Sequence, residues 1–245
     1  MADDTAILIQ IEGVSYRYPG SGAPVINDLS LTFRDQDKLG LIAPNGSGKT
    51  TLFHLIMGLI RPDQGTIKIF GKSVEKPKDF IPVRRKIGLL FQDSDDQLFS
   101  PTVMEDVAFG PLNQGKTREE AIEISRKTLQ FLGLENFEGR ITFKLSGGEK
   151  RLVALATILA MEPSILLLDE PTTGLDLRTK SRLVDILNHL DLPRIVISHE
   201  YEFIQAVTDH IYTMENGRIN LDEELHIHHH HHVHRHGKQP HKHVE

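Results

Sequence analysis

Leu39-Gly40-Leu41-Ile42-Ala43-Pro44-Asn45-Gly46-Ser47-Gly48-Lys49-Thr50 decides the reading of this chain. A short apolar run passes into a glycine-containing loop, and the loop passes into an apolar-rich helix predicted over Lys49 to Ile60. Strand, loop, helix is the first half of an α/β unit. The loop nearly matches G-x-x-x-x-G-K-S/T, and it lies between strand and helix, where such a loop belongs. A triphosphate needs several N–H donors aimed at one place, which glycines and a helix N-terminus supply together. Lys49 is predicted to reach the β- and γ-phosphates, and the Thr50 hydroxyl to ligate Mg²⁺. Ala43 stands where the pattern has its first glycine. A positive φ there would cost alanine about 1 kcal/mol, so either the backbone is ordinary at Ala43 or the loop is slightly altered.

Working outward, Ile165-Leu166-Leu167-Leu168 is an apolar strand that ends abruptly in Asp169 and Glu170. Ligands of open parallel sheets sit at the carboxyl ends of strands, so these acids are predicted to emerge where the phosphate loop points. Asp169 suits a hold on Mg²⁺, and Glu170 a base or water-orienting group. Leu145-Ser146-Gly147-Gly148-Glu149 precedes an apolar helix and reads as a second helix N-terminus able to meet an anion. Residues 7 to 33 read as strand-rich, Thr66 to Phe70, Lys86 to Phe91 and Ile195 to Ser198 as further strands, and about 103 to 161 as helical. Thr117 opens a helix with a capping box to Glu120, Leu183, Ile186, Leu187 and Leu190 recur at helical spacing, and Asn216-Gly217 signals a type I′ hairpin.

Composition agrees with an ordinary soluble domain: 245 residues, 39% hydrophobic and 25% charged. With 28 Lys plus Arg against 34 Asp plus Glu, the net charge of -6 gives no general electrostatic reason to bind nucleic acid. The absence of cysteine excludes disulfides, thiolate zinc sites and thiol nucleophiles. The longest mainly apolar stretch, Leu152 to Met161, is about half the roughly 20 residues a membrane helix needs. Asp3 and Asp4 stand where a signal peptide carries basic residues.

With the phosphate loop, the Ser146 motif and the Asp169-Glu170 strand in this order, the chain resembles the ATP-binding subunits of ABC transporters over about residues 6 to 222. The resemblance implies an α/β P-loop NTPase: a RecA-like parallel-sheet core, an N-terminal antiparallel β subdomain, and an α-helical subdomain inserted at about 93–161. An ATPase domain over 1–222 would then precede a flexible tail at 223–245. In this family two ATPase domains pack head to tail, with ATP between the phosphate loop of one and the LSGG-type motif of the other. One copy of each motif implies a dimer, here a homodimer that depends on ATP or on the membrane partner.

Position by position, the resemblance implies ATP contacts from Asn45, Gly46, Ser47, Gly48, Lys49, Thr50 and Thr51, and from Ser146, Gly147, Gly148 and Glu149 of the second subunit. Glu149 stands where glutamine is more usual. Tyr18 resembles the aromatic that stacks on adenine, with Tyr16 as its competitor. Gln92 resembles the glutamine that touches Mg²⁺ and the attacking water, alongside Thr50 and Asp169. Thr173-Gly174-Leu175-Asp176 resembles the loop that crosses to the other subunit, and His199 the switch histidine at the γ-phosphate. Glu170, His199 and Gln92 are the implied catalytic set.

Gln92 to Phe99 and Thr102 to Pro111 are similar to a segment of energy-coupling factor ATPases, the group serving vitamins and transition metals. The implied setting is the cytoplasmic face of a membrane, with an integral transmembrane component and a substrate-binding component as partners. Ten of the 14 histidines fall in the tail: His226, His228, His229, His230, His231, His232, His234, His236, His241 and His243. Imidazole suits Ni²⁺, Co²⁺, Cu²⁺ and Zn²⁺, and a tail can supply several such ligands without a folded site. The interspersed Val233, Arg235 and Gly237 to Pro240 favour a native tail over an expression tag. With the resemblance, this points to cobalt or nickel import.

Overall fold

The computed structural model describes residues 5–44 and 46–220. Two sheets meet over a shared core. The first is antiparallel, in the order β2-β1-β4-β5, with β1 Ile7–Tyr16, β2 Ile26–Arg34, β4 Gln64–Ile69 and β5 Lys72–Ser73. The second runs β10-β9-β3-β8-β7-β6. Its members are β3 Lys38–Ile42, β6 Ile87–Leu90, β7 Ile165–Asp169, β8 Arg194–Ile197, β9 His210–Glu215 and β10 Arg218–Asn220. Every pairing from β9 across to β6 is parallel, and the β9–β10 hairpin is antiparallel.

The central strands are apolar without alternation because both of their faces are covered. Ile165 and Leu167 of β7 enter the core shared with the antiparallel sheet. Leu166 and Leu168 enter a second core under the helices. β8 divides in the same way, with Ile195 and Ile197 on one side and Val196 on the other.

Helix α1 spans Lys49–Ile56, four residues short of the predicted Ile60. It ends in a Schellman turn: Gly58 has φ 61, its N–H bonds the Leu55 carbonyl, and the Leu59 N–H bonds that of His54. The ring of Phe80 lies where a Gly58 Cβ would be, 2.3 Å away, so no larger residue fits the turn. Phe80 opens α2, Phe80–Lys86, a helix that no periodic pattern announces.

The helical layer is α3 Val103–Asn113, α4 Arg118–Phe131 and α5 Gly147–Leu159. Each opens on a capping box, Thr102 with Glu105, Thr117 with Glu120 and Ser146 with Glu149. Helix α6, Leu177–His189, is capped by Asp176 and buries Leu183, Ile186 and Leu187. Helix α7, Tyr201–Val207, precedes β9. At the β9–β10 turn Asn216 and Gly217 take φ 50 and 73, as a type I′ turn requires.

Candidate nucleotide-binding site

Four parallel strands end on one side of the sheet, and each delivers a piece of the site. The loop Ala43 to Gly48 leaves β3, Gln92 follows β6, Asp169 and Glu170 close β7, and His199 follows β8. In the loop the positive φ values fall on Gly46 (81) and Gly48 (101) and not on Ala43, which is buried with an ordinary backbone. The missing first glycine therefore costs no backbone strain. Gly48 is constrained differently, since a Cβ there would lie 2.7 Å from the Val25 carbonyl.

Lys49 reaches across the loop. Its Nζ donates to the Ala43 carbonyl at 2.9 Å and to Glu170 Oε1 at 3.0 Å, a buried ion pair. Glu170 Oε2 lies 2.8 Å from His199 Nδ1. Glu170 is 3% exposed and holds φ 46, a left-handed conformation unfavourable for a side-chain-bearing residue and typical of functional sites. The three residues thus form one linked array, Lys49–Glu170–His199, with the imidazole end exposed.

Thr50 Oγ1 donates to Asp169 Oδ2 at 2.7 Å. The other oxygen, Asp169 Oδ1, is buried without a hydrogen-bond partner among the described residues, and so is Ser47 Oγ. Burial pushes the Asp169 carboxyl above the usual carboxylate range, against the Thr50 hydrogen bond that pulls it down. Thr50 and Gln92 line one cavity of about 640 Å³, with His54, Arg151, Gly147 and Gly174. A hydroxyl and an amide on one cavity, the hydroxyl bonded to a carboxylate with an unused buried oxygen, make a hard-oxygen donor set suited to Mg²⁺.

Tyr18 is partly exposed, its hydroxyl 3.2 Å from Thr51 Oγ1 and its ring in a T-shaped pair with Tyr16 at 5.0 Å. Tyr16 is buried in the core, which leaves Tyr18 as the exposed aromatic of the two. Ser146, Gly148 and Glu149, at the start of α5, do not line this cavity, although Gly147 among them does. Gly148 packs against Thr179 and Leu175, placing α5 beside the Thr173–Asp176 loop. Asn45 and the ten tail histidines lie outside the described residues. Among the described residues no group of three or more His, Cys, Asp or Glu is placed to hold a metal ion.

Sequence reasoning missed Arg151. Its guanidinium is buried and donates to the carbonyls of Phe91 and Gln92 at 2.5 and 2.6 Å, tying the segment after β6 to α5. An arginine among apolar residues on a helix was the available signal, because a buried cation must find oxygens.

A phosphate loop and paired acids at the carboxyl ends of a parallel sheet define a nucleoside-triphosphate-binding α/β protein. The ABC transporter family pattern matches residues 26–173. A putative ABC transporter ATP-binding protein of Nitratidesulfovibrio vulgaris is 48% identical over 210 residues, 86% of this chain and 77% of that one. The energy-coupling factor transporter ATP-binding protein EcfA of Methanothermobacter thermautotrophicus is 41% identical over 216 residues, 86% of this chain and 69% of its own length. The structure of cbiO1 from Clostridium perfringens, described as part of the ABC transporter complex cbiONQ, matches with a TM-score of 0.78 at 31% identity and 88% coverage of both chains. The chain belongs to the ABC transporter ATP-binding family, the ATP-hydrolysing subunits of these transporters, and has homologues of the energy-coupling factor type.

Proposed function

We propose that this chain powers an energy-coupling factor type importer from the cytoplasmic face of the membrane, as a homodimer docked on an integral transmembrane component beside a substrate-binding component. Its proposed cargo is cobalt or nickel. The carrying observation is the Lys49–Glu170–His199 array at the phosphate loop, in a chain whose relatives include EcfA. No helix among the described residues is long and apolar enough to cross a membrane.

Tyr18 would stack on adenine, while the amides of Gly46, Ser47 and Gly48 and the ammonium of Lys49 hold the β- and γ-phosphates. To reach phosphate, Lys49 exchanges Glu170 Oε1 for a phosphate oxygen, and this releases the Glu170 carboxylate to take a proton from water. As water adds in line, the bond from the γ-phosphorus to the ADP oxygen breaks and ADP leaves with that electron pair. His199 holds the other Glu170 oxygen and so fixes the direction of the base. Thr50, Asp169 and Gln92 would hold Mg²⁺, which when bound neutralises charge on the phosphate oxygens. Ser146 and the start of α5 of the second subunit would close over the γ-phosphate.

Replacing Tyr18 by Ala is expected to weaken ATP binding about fivefold or more, and by Trp to leave it near the parental value. Titration calorimetry with ATP reads both, and equal losses would show that the ring face is unused.

The cobalt or nickel assignment is supported by the histidine-rich composition of residues 226 to 243. Its test is ATPase activity of the co-expressed membrane complex with Co²⁺, Ni²⁺ and Zn²⁺, with and without residues 226–245. Stimulation by Co²⁺ or Ni²⁺ is expected. Stimulation by a vitamin and by no metal would assign the other cargo class of these importers.

A further inference from the structure

The residue at the usual glutamine position of the Ser146 motif is acidic, and the structure shows what an acid does there. Glu149 Oε2 accepts from the Ser146 N–H at 2.8 Å and lies 2.9 Å from the Ser146 hydroxyl. Its other oxygen accepts from Arg140 Nη1 at 2.7 Å. Arg140 is itself fixed by the ring of Phe137, 4.1 Å below its guanidinium. These hydrogen bonds and Arg140 hold the Glu149 carboxyl below its usual range, so it is ionised at neutral pH.

An ionised carboxylate only accepts hydrogen bonds, and a serine hydroxyl has one proton to give. The short Ser146–Glu149 contact therefore commits that proton to Glu149. The opposite bond, from the Glu149 N–H to the Ser146 oxygen, is long at 3.4 Å. A glutamine could satisfy the same serine oxygen from its NH₂ group and leave the hydroxyl proton free for a phosphate. The carboxylate also places a negative charge at the start of α5, where the helix dipole otherwise favours an anion.

We infer that Glu149, restrained by Arg140, is a positioning residue that competes with the γ-phosphate for the Ser146 hydroxyl and so weakens ATP-driven closure of the dimer. This rests on the reading of Ser146 as the motif that meets the second subunit's ATP. Arg140 tempers the effect by compensating the Glu149 charge; both side chains are partly solvent-exposed, so the pair is sensitive to salt.

The test uses the full chain, with KM for ATP from phosphate release and ATP-dependent dimerisation by analytical ultracentrifugation. Glu149→Gln is expected to lower KM about threefold to tenfold and to bring dimerisation to lower ATP. Arg140→Met is expected to raise KM by a comparable factor, and the double variant to behave as Glu149→Gln alone. The Arg140→Met effect should shrink at 1 M salt, where charges are screened within about 3 Å. An Arg140→Met defect that persists in the Glu149→Gln background would show a merely structural role and overturn the inference. An unchanged KM in Glu149→Gln, with Ser146→Ala raising it, would overturn the inference and leave the motif assignment standing. If Ser146→Ala also changes neither KM nor dimerisation, both fall.

Discussion

Glu170→Gln is expected to cut ATP turnover by about 10²–10⁴-fold, the usual worth of a positioned general base, while ATP binding survives or tightens. The amide keeps the size and hydrogen-bonding reach of the carboxylate, so the left-handed residue at φ 46 and its contact with His199 can persist. What disappears is the proton acceptor, together with the negative partner that holds the Lys49 ammonium at 3.0 Å. Binding should gain because phosphate no longer has to take Lys49 from a buried anion. Steady-state phosphate release and equilibrium ATP binding, measured on the same preparation, separate the two effects. Parental turnover in Glu170→Gln would remove Glu170 as the base. Weakened binding would show that the Lys49–Glu170 pair helps to preorganise the loop instead of competing with nucleotide.

Arg194→Met should be the most damaging substitution away from the site. Arg194 begins β8 and is 1% exposed. It donates from Nε to the Val207 carbonyl at 2.7 Å, and from Nη1 to the carbonyls of Leu187 at 2.5 Å and Leu190 at 3.1 Å. One guanidinium thus gathers carbonyls at the ends of α6 and α7, which otherwise lack intrahelical partners. Methionine fills much of the same volume and donates nothing, leaving buried oxygens unpaired at about 1–3 kcal/mol each. A net loss of about 3 kcal/mol or more is expected, a large share of the 5–15 kcal/mol typical of a folded domain. The urea midpoint should fall with the slope unchanged. Arg194→Lys should recover only part of the loss, because an ammonium cannot reproduce the planar fork. A midpoint within error of the parent would mean that the helix ends find other donors.

Much of the architecture was legible because its signals are local. Ile165 to Leu168 read as a central strand from an unbroken apolar run, and both faces are indeed buried. Thr117 announced α4 through Glu120, and Asn216-Gly217 announced the hairpin. The extension of α1 to Ile60 failed although Gly58 was visible, since a glycine in an apolar pattern reads as tolerated until Phe80 is known to occupy its Cβ position. Helix α2 is too short for periodicity to register.

Within the site, the order of motifs identified the residue types, and the strand ends brought Thr50, Asp169, Glu170 and His199 together as the sheet rule predicts. The pairings were not legible. Nothing in sequence says that Lys49 spends its charge on Glu170, that Arg151 holds the carbonyl of Gln92, or that Arg140 meets Glu149. Such contacts depend on side-chain directions set by packing between distant elements.

The phosphate loop also has a history in time. Gly48 rests against Val25, and Gly217 against the same Val25 carbonyl, with Asn27 N–H bonded to the Gly217 carbonyl. The Lys49–Glu170 contact closes over 121 positions, and Arg218 reaches the Asn27 carbonyl over 191. A ribosome releases the loop long before it releases the residues that brace it. During synthesis the nascent chain therefore carries a glycine-rich loop without its backing, and the contacts that complete the site arrive with the β9–β10 hairpin. Competence to hold nucleotide then waits for the β9–β10 hairpin to leave the ribosome, and a message truncated before the codon for Gly217 yields a chain whose loop lacks that support.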